Sequence, residues 1–274
     1  MGKFFAGTNG VGVFRSTNNG ASWTAVNTGL TNTDVRALAI NPATQNIFAG
    51  IFGGGVFRST NNGDSWTAVN AGLTNTSVFA LAINASGQIF AGTYDGGVFR
   101  STNNGDSWTV INTGLPNTEV YVLAINASGH IFAGTGGGGV FRSTNNGDSW
   151  TAVNTGLTNT EVRALAINAS GHIFAGTAGG GVFRSTNNGD SWTAVNTGLP
   201  NTEVLRALAI NASGHIFAGT AGGGVFRSTN NGDSWTAVNI GLFNTDFHSK
   251  NQVNFFAEFC ARVLGDVYKT LAVL

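Results

Sequence analysis

Apolar residues along this chain fall in short runs separated by glycine, asparagine and serine. In the stretch ending near Trp192 the runs predict four strands, at 162–168, 172–177, 182–185 and 192–196. The segments between them fit that reading. Asn168-Ala169-Ser170-Gly171 has the composition of a hairpin loop. Ala178-Gly179-Gly180-Gly181 supplies glycine where a tight turn needs positive φ. Helical repeats of similar length would place apolar residues at i, i+3 and i+4, and these runs do not.

The pattern then repeats. Trp23, Trp66, Trp108, Trp150, Trp192 and Trp235 recur at intervals of 43, 42, 42, 42 and 43 residues. Four short strands in each such interval is the arithmetic of a propeller blade. The expected fold is therefore all-β: a β-propeller of four-stranded antiparallel blades over residues 1–250. Six blades are expected, with a degenerate seventh as the alternative. The first strand of the chain, 3–8, matches the second strand of the other units. The first blade thus lacks its innermost strand unless Asn244-Thr245-Asp246-Phe247-His248 supplies it, a segment similar to the Asn-Thr-Glu-Val-Arg entry of that strand.

Residues 251–274 leave the repeat and admit two readings. Asn254-Phe255-Phe256-Ala257 and Gly265 to Thr270 resemble decayed second and third strands. Val253, Phe256, Cys260, Val263, Val267, Leu271 and Leu274 instead fall at helical spacing, interrupted by Gly265. A helix with an exposed apolar stripe would open a route to self-association.

Composition agrees with an all-β chain, since 41 glycines and 20 phenylalanines describe frequent turns with aromatic packing between them. Charged residues are 9% of the chain, with thirteen of each sign, which leaves no footprint for nucleic acid or an anionic membrane. No apolar stretch approaches the roughly 18 residues of a membrane span, and Met1 to Thr8 has no signal core. A soluble chain is expected, in a compartment the sequence does not name. The lone Cys260 forms no intramolecular disulfide.

The turn before each tryptophan, Ser101-Thr102-Asn103-Asn104-Gly105-Asp106-Ser107-Trp108, resembles the Asp box, whose pattern is Ser-x-Asp-x-Gly-x-Thr-Trp. All six units contain it, and Ala21 alone replaces the Asp after glycine. The resemblance spans about residues 3–241 and places the chain among Asp-box (BNR-like) propeller repeats, similar to the blades of sialidases, sortilin-like receptors and photosystem II assembly factors. One departure matters: Asn18, Asn61, Asn103, Asn145, Asn187 and Asn230 stand where aspartate is usual. An asparagine still accepts backbone N–H bonds in a tight turn and tolerates left-handed geometry. The boxes imply a hairpin staple on the outer edge of each blade rather than a catalytic or calcium site.

Catalysis of the sialidase type would need arginines from different blades on one carboxylate, a Tyr–Glu pair and a separate acid. Arg15, Arg58, Arg100, Arg142, Arg184 and Arg227 occupy one place in every unit and cannot converge, so their expected role is to pair along or cover the third strand. An active site needs unlike groups at one point, whereas copied blades supply like groups spread apart. His130, His172 and His215 share one hairpin position, one blade apart, and are expected to be turn residues rather than ligands. Asp34, Glu119, Glu161, Glu203 and Asp246 precede the innermost strand and are expected to form a solvated rim partly neutralised by Arg36, Arg163 and Arg206. The Asn-Ala-Ser sequons at Asn84, Asn126, Asn168 and Asn211 read as one accident copied four times. No enzyme activity, metal or cofactor is expected.

Differences among the copies say more. After the second strand stand Asn9, Phe52, Tyr94, Gly136, Ala178 and Ala221. Two residues past the acidic position stand Arg36, Phe79, Tyr121, Arg163 and Arg206. Propeller connectivity brings both places to one end of the blade. Phe52, Phe79, Tyr94 and Tyr121, flanked by Arg36, Arg163 and Arg206, are thus the candidate ligand surface. The function expected is a non-enzymatic binding or scaffold propeller for a carbohydrate or protein ligand, with several equivalent sites. The alternatives are a recently amplified or designed propeller without a ligand and, more remotely, a sialidase-type hydrolase.

Overall fold

The computed structural model describes residues 3–116, 118–200, 205–221 and 223–239, with Leu205 and Arg206 described by backbone alone. In these residues every regular element is a strand. β1 (Phe4–Thr8), β2 (Gly12–Ser16) and β3 (Thr24–Ala25) form the first sheet. β4 (Val35–Ile40), β5 (Ile47–Ile51), β6 (Gly55–Ser59) and β7 (Thr67–Ala68) form the second. β8 (Val78–Ile83), β9 (Ile89–Thr93), β10 (Val98–Ser101) and β11 (Thr109–Val110) form the third. The fourth takes β12 (Val120–Ile125), β13 (Ile131–Thr135), β14 (Gly139–Ser143) and β15 (Thr151–Ala152). The fifth takes β16 (Val162–Ile167), β17 (Ile173–Thr177), β18 (Gly181–Ser185) and β19 (Thr193–Ala194). The sixth takes β20 (Leu205–Ile210), β21 (Ile216–Thr220), β22 (Gly224–Ser228) and β23 (Thr236–Ala237). The protein is a six-bladed β-propeller, each sheet a blade with its strands in chain order, and the first blade shows three strands among the described residues. The expected closing segment at 244–248 and the tail at 251–274, with its helix, seventh-blade and self-association readings, lie outside the described residues.

The chain divides into two compact units. One runs to Asn112 and adds Thr118–Leu123; the other takes Thr113–Asn117 and resumes at Ala124. In each unit the core is shared between successive blades. Phe5, Val13 and Val26 of the first blade join Val35, Leu38, Ile47, Phe57 and Trp66 of the second. Phe174, Val182 and Val195 of the fifth join Ile216, Phe226 and Trp235 of the sixth. A blade alone cannot bury its apolar face, so stability accrues through neighbour contacts, as in other repeat arrays. Small residues permit the close approach: a Cβ on Gly50 of β5 would lie 2.6 Å from Val78 Cγ1 of the next blade.

The fourth strand is shorter than the alternation suggests, two residues rather than the five at 192–196. The cause is a side chain. Val182 N–H donates to Asn196 Oδ1 at 2.7 Å, and Asn196 Nδ2 donates to the Gly180 carbonyl at 2.9 Å, so this amide replaces backbone pairing. At the other end, Trp192 N–H leaves the sheet and donates to the Thr155 carbonyl of the preceding link at 2.8 Å.

The eight-residue turns stitch blade to blade. In the fifth, Asn187 Oδ1 accepts from Ser191 N–H at 3.0 Å and Asn187 Nδ2 donates to Ser191 Oγ at 2.9 Å, while Gly189 N–H donates to Ser185 Oγ at 2.8 Å. The same bonds recur around Asn18, Asn61, Asn103, Asn145 and Asn230. The left-handed residue is the following asparagine, such as Asn188 at φ 57°, rather than the box asparagine itself. Each indole then reaches back: Trp66, Trp108, Trp192 and Trp235 donate from Nε1 to the carbonyls of Val26, Val69, Val153 and Val195 at 2.7–2.8 Å. Trp23 Nε1 is enclosed without an acceptor among the described residues.

The repeated arginines complete the stitch rather than cover their own strand. Arg15, Arg58, Arg142 and Arg184 donate to Asp64, Asp106, Asp190 and Asp233 of the next blade's turn at 2.6–2.7 Å. Each also donates to the carbonyl of that turn's left-handed asparagine.

Candidate functional site

The variable positions lie where an inner strand begins and the hairpin between second and third strands turns. One asparagine holds both. Asn32 Oδ1 accepts from Asp34 N–H at 2.9 Å, and Asn32 Nδ2 donates to the Phe52 carbonyl at 3.0 Å. Asn159 does the same for Glu161 and Ala178, at 3.0 and 2.7 Å. Backbone pairing extends to the same end, because Phe52 N–H donates to the Asp34 carbonyl and Tyr94 N–H to that of Ser77, both at 2.9 Å.

A register shift then sets the direction of the second variable residue. Val35 faces Ile51 and Ala37 faces Gly50, leaving Arg36 as the extra residue. The shifts at Val78/Ala80, Val162/Ala164 and Leu205/Ala207 leave Phe79, Arg163 and Arg206 in the same place. A bulge of this kind re-aims one residue out of the strict in-out alternation.

In the first unit this arrangement gathers four rings. Phe79 lies 5.6 Å from Phe52, 5.7 Å from Tyr94 and 5.6 Å from Tyr121 between ring centroids, and Phe52 lies 6.4 Å from Tyr94. The rings are tilted or edge-on, the geometry aromatic quadrupoles favour. Arg36 places its guanidinium 5.5 Å from the Phe52 ring and 5.7 Å from Phe79. It also forms a two-point pair with Asp34, Nε to Oδ1 at 2.7 Å and Nη2 to Oδ2 at 2.9 Å. Tyr121 donates its hydroxyl to Glu119.

The members differ in access. Tyr121 is 8% exposed, Phe79 and Arg36 are half-buried, and Phe52 and Tyr94 are 37% and 48% exposed. Phe52 and Tyr94 thus present the exposed part of the cluster, and the others are more enclosed. Arg36, expected as a flanking contact, is committed to Asp34 and to two ring faces. In the second unit Arg163 pairs with Glu161, and the hairpin positions hold the small residues Gly136 and Ala178. Arg206 sits at the equivalent place in β20, described by backbone alone.

Two acidic residues adjoin the exposed rings. Asp95 follows Tyr94 and accepts from Thr118 Oγ1 at 3.4 Å, and Glu119 follows Thr118. Asp95 was legible and overlooked: other units have glycine there, Gly10, Gly53, Gly137, Gly179 and Gly222. Its hairpin departs from the rest, with Gly96 N–H donating to Thr93 Oγ1 at 3.0 Å and β10 starting at Val98 rather than at Gly97.

The remaining candidates stay apart. His130 and His172 are half-buried, each with its backbone N–H on a hairpin asparagine at 2.9 Å. Among the described residues no three of His, Cys, Asp and Glu gather at metal-binding distance. The sequon asparagines Asn126 and Asn168 donate to Asn188 and Asn231 of the following turns at 3.2 and 3.1 Å. Among the described residues no helix is long and apolar enough to cross a membrane.

Comparison with solved structures finds the same fold. An ancestral GH74 enzyme matches with a TM-score of 0.70 and 23% identity, over 85% of this chain and 36% of that one. The GH74 xyloglucanase from Xanthomonas campestris matches at 0.66 and 17%, over 85% and 43%. YCF48 bound to D1 peptide matches at 0.60 and 15%, over 77% and 68%. The chain thus spans less than half the length of either GH74 enzyme, and at these identities the likeness shows the fold alone. No curated protein matches the sequence. The model of the DUF6242 beta propeller domain matches residues 3–130 and again 124–251, and the chain belongs to that family.

Proposed function

We propose that this chain is a non-catalytic binding propeller whose ligand surface is the exposed face of Phe52 and Tyr94, backed by Phe79, Tyr121 and Arg36. One observation carries the reading. Copies nearly identical elsewhere differ at two positions, and in neighbouring blades those positions hold four aromatic residues that pack within 5.6–6.4 Å. Clustered, partly exposed rings on a rigid support have the composition of a recognition hot spot. The eight-residue turns are read as Asp-box hairpins of purely structural use, since their side chains are spent on their own turn and on the neighbouring blade.

Repetition weighs against catalysis, because the acidic side chains recur as like groups in separate blades and Asp34 is tied to Arg36. The GH74 neighbours share the fold, and a fold hosts many functions. The test is a combined glycan and peptide array with the purified chain and a Phe52→Ala/Tyr94→Ala variant. A signal lost in the variant is expected. A signal that survives it would move the site elsewhere, and a blank array for the parent would favour a propeller amplified without a ligand.

A further inference from the structure

The charge around the exposed rings narrows what they take. Arg36, the cation that lies against Phe52 and Phe79, is already neutralised by Asp34. Two carboxylates lie on the Tyr94 side: Asp95, exposed and accepting from Thr118 Oγ1, and Glu119, which accepts from the Tyr121 hydroxyl. Aromatic faces are electron-rich, and carboxylates beside them deepen the negative potential. The arrangement suits a positive group that lies over Tyr94 and meets Asp95 at its edge. A neutral sugar could donate hydroxyl hydrogen bonds to a carboxylate but brings no charge to offset it, whereas a cation does both.

The hairpin points the same way. Where other copies have glycine, this one has Asp95 directly after the most exposed ring of the cluster, and the turn changes form around it. Tyr94 and Asp95 are thus a coupled departure, supplying a π face and a charge at one spot.

Resting on the reading that this face binds a ligand, we infer that its ligand is a basic protein segment, held by an arginine side chain stacked on Tyr94 and Phe52 and paired with Asp95. Arginine fits better than lysine because its planar guanidinium stacks on a ring and forks to a carboxylate at once.

The experiment is calorimetric titration of the purified chain with an arginine–glycine repeat peptide and with the same peptide carrying citrulline, its neutral isostere, for arginine. Binding of the arginine peptide is expected, weakened about tenfold or more by citrulline and falling with added salt. Asp95→Asn should weaken it about fivefold, and Tyr94→Leu should remove most of it. Asp95→Gly, which restores the residue of the other copies, should behave like Asp95→Asn and guards against a misfolded variant. Equal binding of both peptides, or no effect of either Asp95 variant, would overturn the cationic ligand. If Tyr94→Leu still abolished such binding, the aromatic surface itself would stand. An arginine peptide that fails to bind the parent overturns the inference, and the array then decides whether the surface has any ligand.

Discussion

The tryptophan turns and the inner-strand ends come from the same copied unit, yet they have been treated differently. At the turns, the same asparagine, serine and glycine make the same bonds at nearly the same distances, and the indoles of Trp66, Trp108, Trp192 and Trp235 reach into the preceding blade. At the inner ends, the residue after the second strand ranges from Gly136 to Tyr94, and its partner on the inner strand is an arginine, a phenylalanine or a tyrosine. A side chain that must fit a neighbouring blade is constrained by two sequences at once; one that meets solvent is constrained by neither. The first layer thus holds the blades together, and the second is free to acquire a ligand.

The largest expected effect falls on the first layer. Trp192 is 4% exposed and its indole N–H is bonded to Val153. Trp192→Ala should cost about 3–5 kcal/mol in chemical denaturation. A sharper version uses Trp23, whose Nε1 has no acceptor among the described residues. Trp192→Phe should lose about 1 kcal/mol more than Trp23→Phe, the worth of the missing bond. Equal losses would mean that ring packing alone holds the blades.

Gly156 comes next. It sits at φ 82° in the link between blades, and a Cβ there would lie 2.2 Å from the Trp192 carbonyl oxygen. Gly156→Ala adds left-handed strain to overpacking and should cost about 3 kcal/mol, read as a shift in thermal midpoint. A neutral result would show that the link can give way without disturbing the turn.

The bridging arginines should matter far less. Asp233 is 61% exposed where Arg184 meets it, so Arg184→Ala should cost below about 1 kcal/mol, and less still in high salt. A loss as large as that at Trp192 would place the interblade energy in charge rather than in packing.

The blades were legible because six copies of one period leave little choice of fold, and each turn declares itself by a tryptophan at fixed spacing. The meeting of Phe52, Phe79, Tyr94 and Tyr121 also followed from sequence, since connectivity alone brings the two variable positions to one end. What the sequence hid depends on single bonds. The pairing of Arg36 with Asp34 was expected, but its approach to two rings could not be seen, because that follows from a register shift at Val35/Ala37. Nor could the repeated arginines be assigned to the next blade's aspartate, since the pair is 48 or 49 residues apart and only the stacking of blades brings it together. The short fourth strand was hidden for a related reason: an asparagine side chain replaces the backbone there, and alternation of apolar and polar positions does not register such a substitution.

The smallest expected effect tests the asparagine that stands where the Asp-box pattern has aspartate. Asn187 Oδ1 accepts from Ser191 N–H and from the Ser185 hydroxyl, and a carboxylate oxygen would accept both. Asn187 Nδ2 donates to Ser191 Oγ, a bond that a carboxylate recovers when the serine hydroxyl rotates to donate. Asn187→Asp should therefore change stability by less than about 0.5 kcal/mol, whereas Asn187→Ala, which removes every acceptor, should cost about 1–2 kcal/mol. Should Asn187→Asp lose as much as Asn187→Ala, the amide's donation to Ser191 would be what fixes the turn. Asparagine at all six positions would then be a requirement of this chain rather than a neutral exchange.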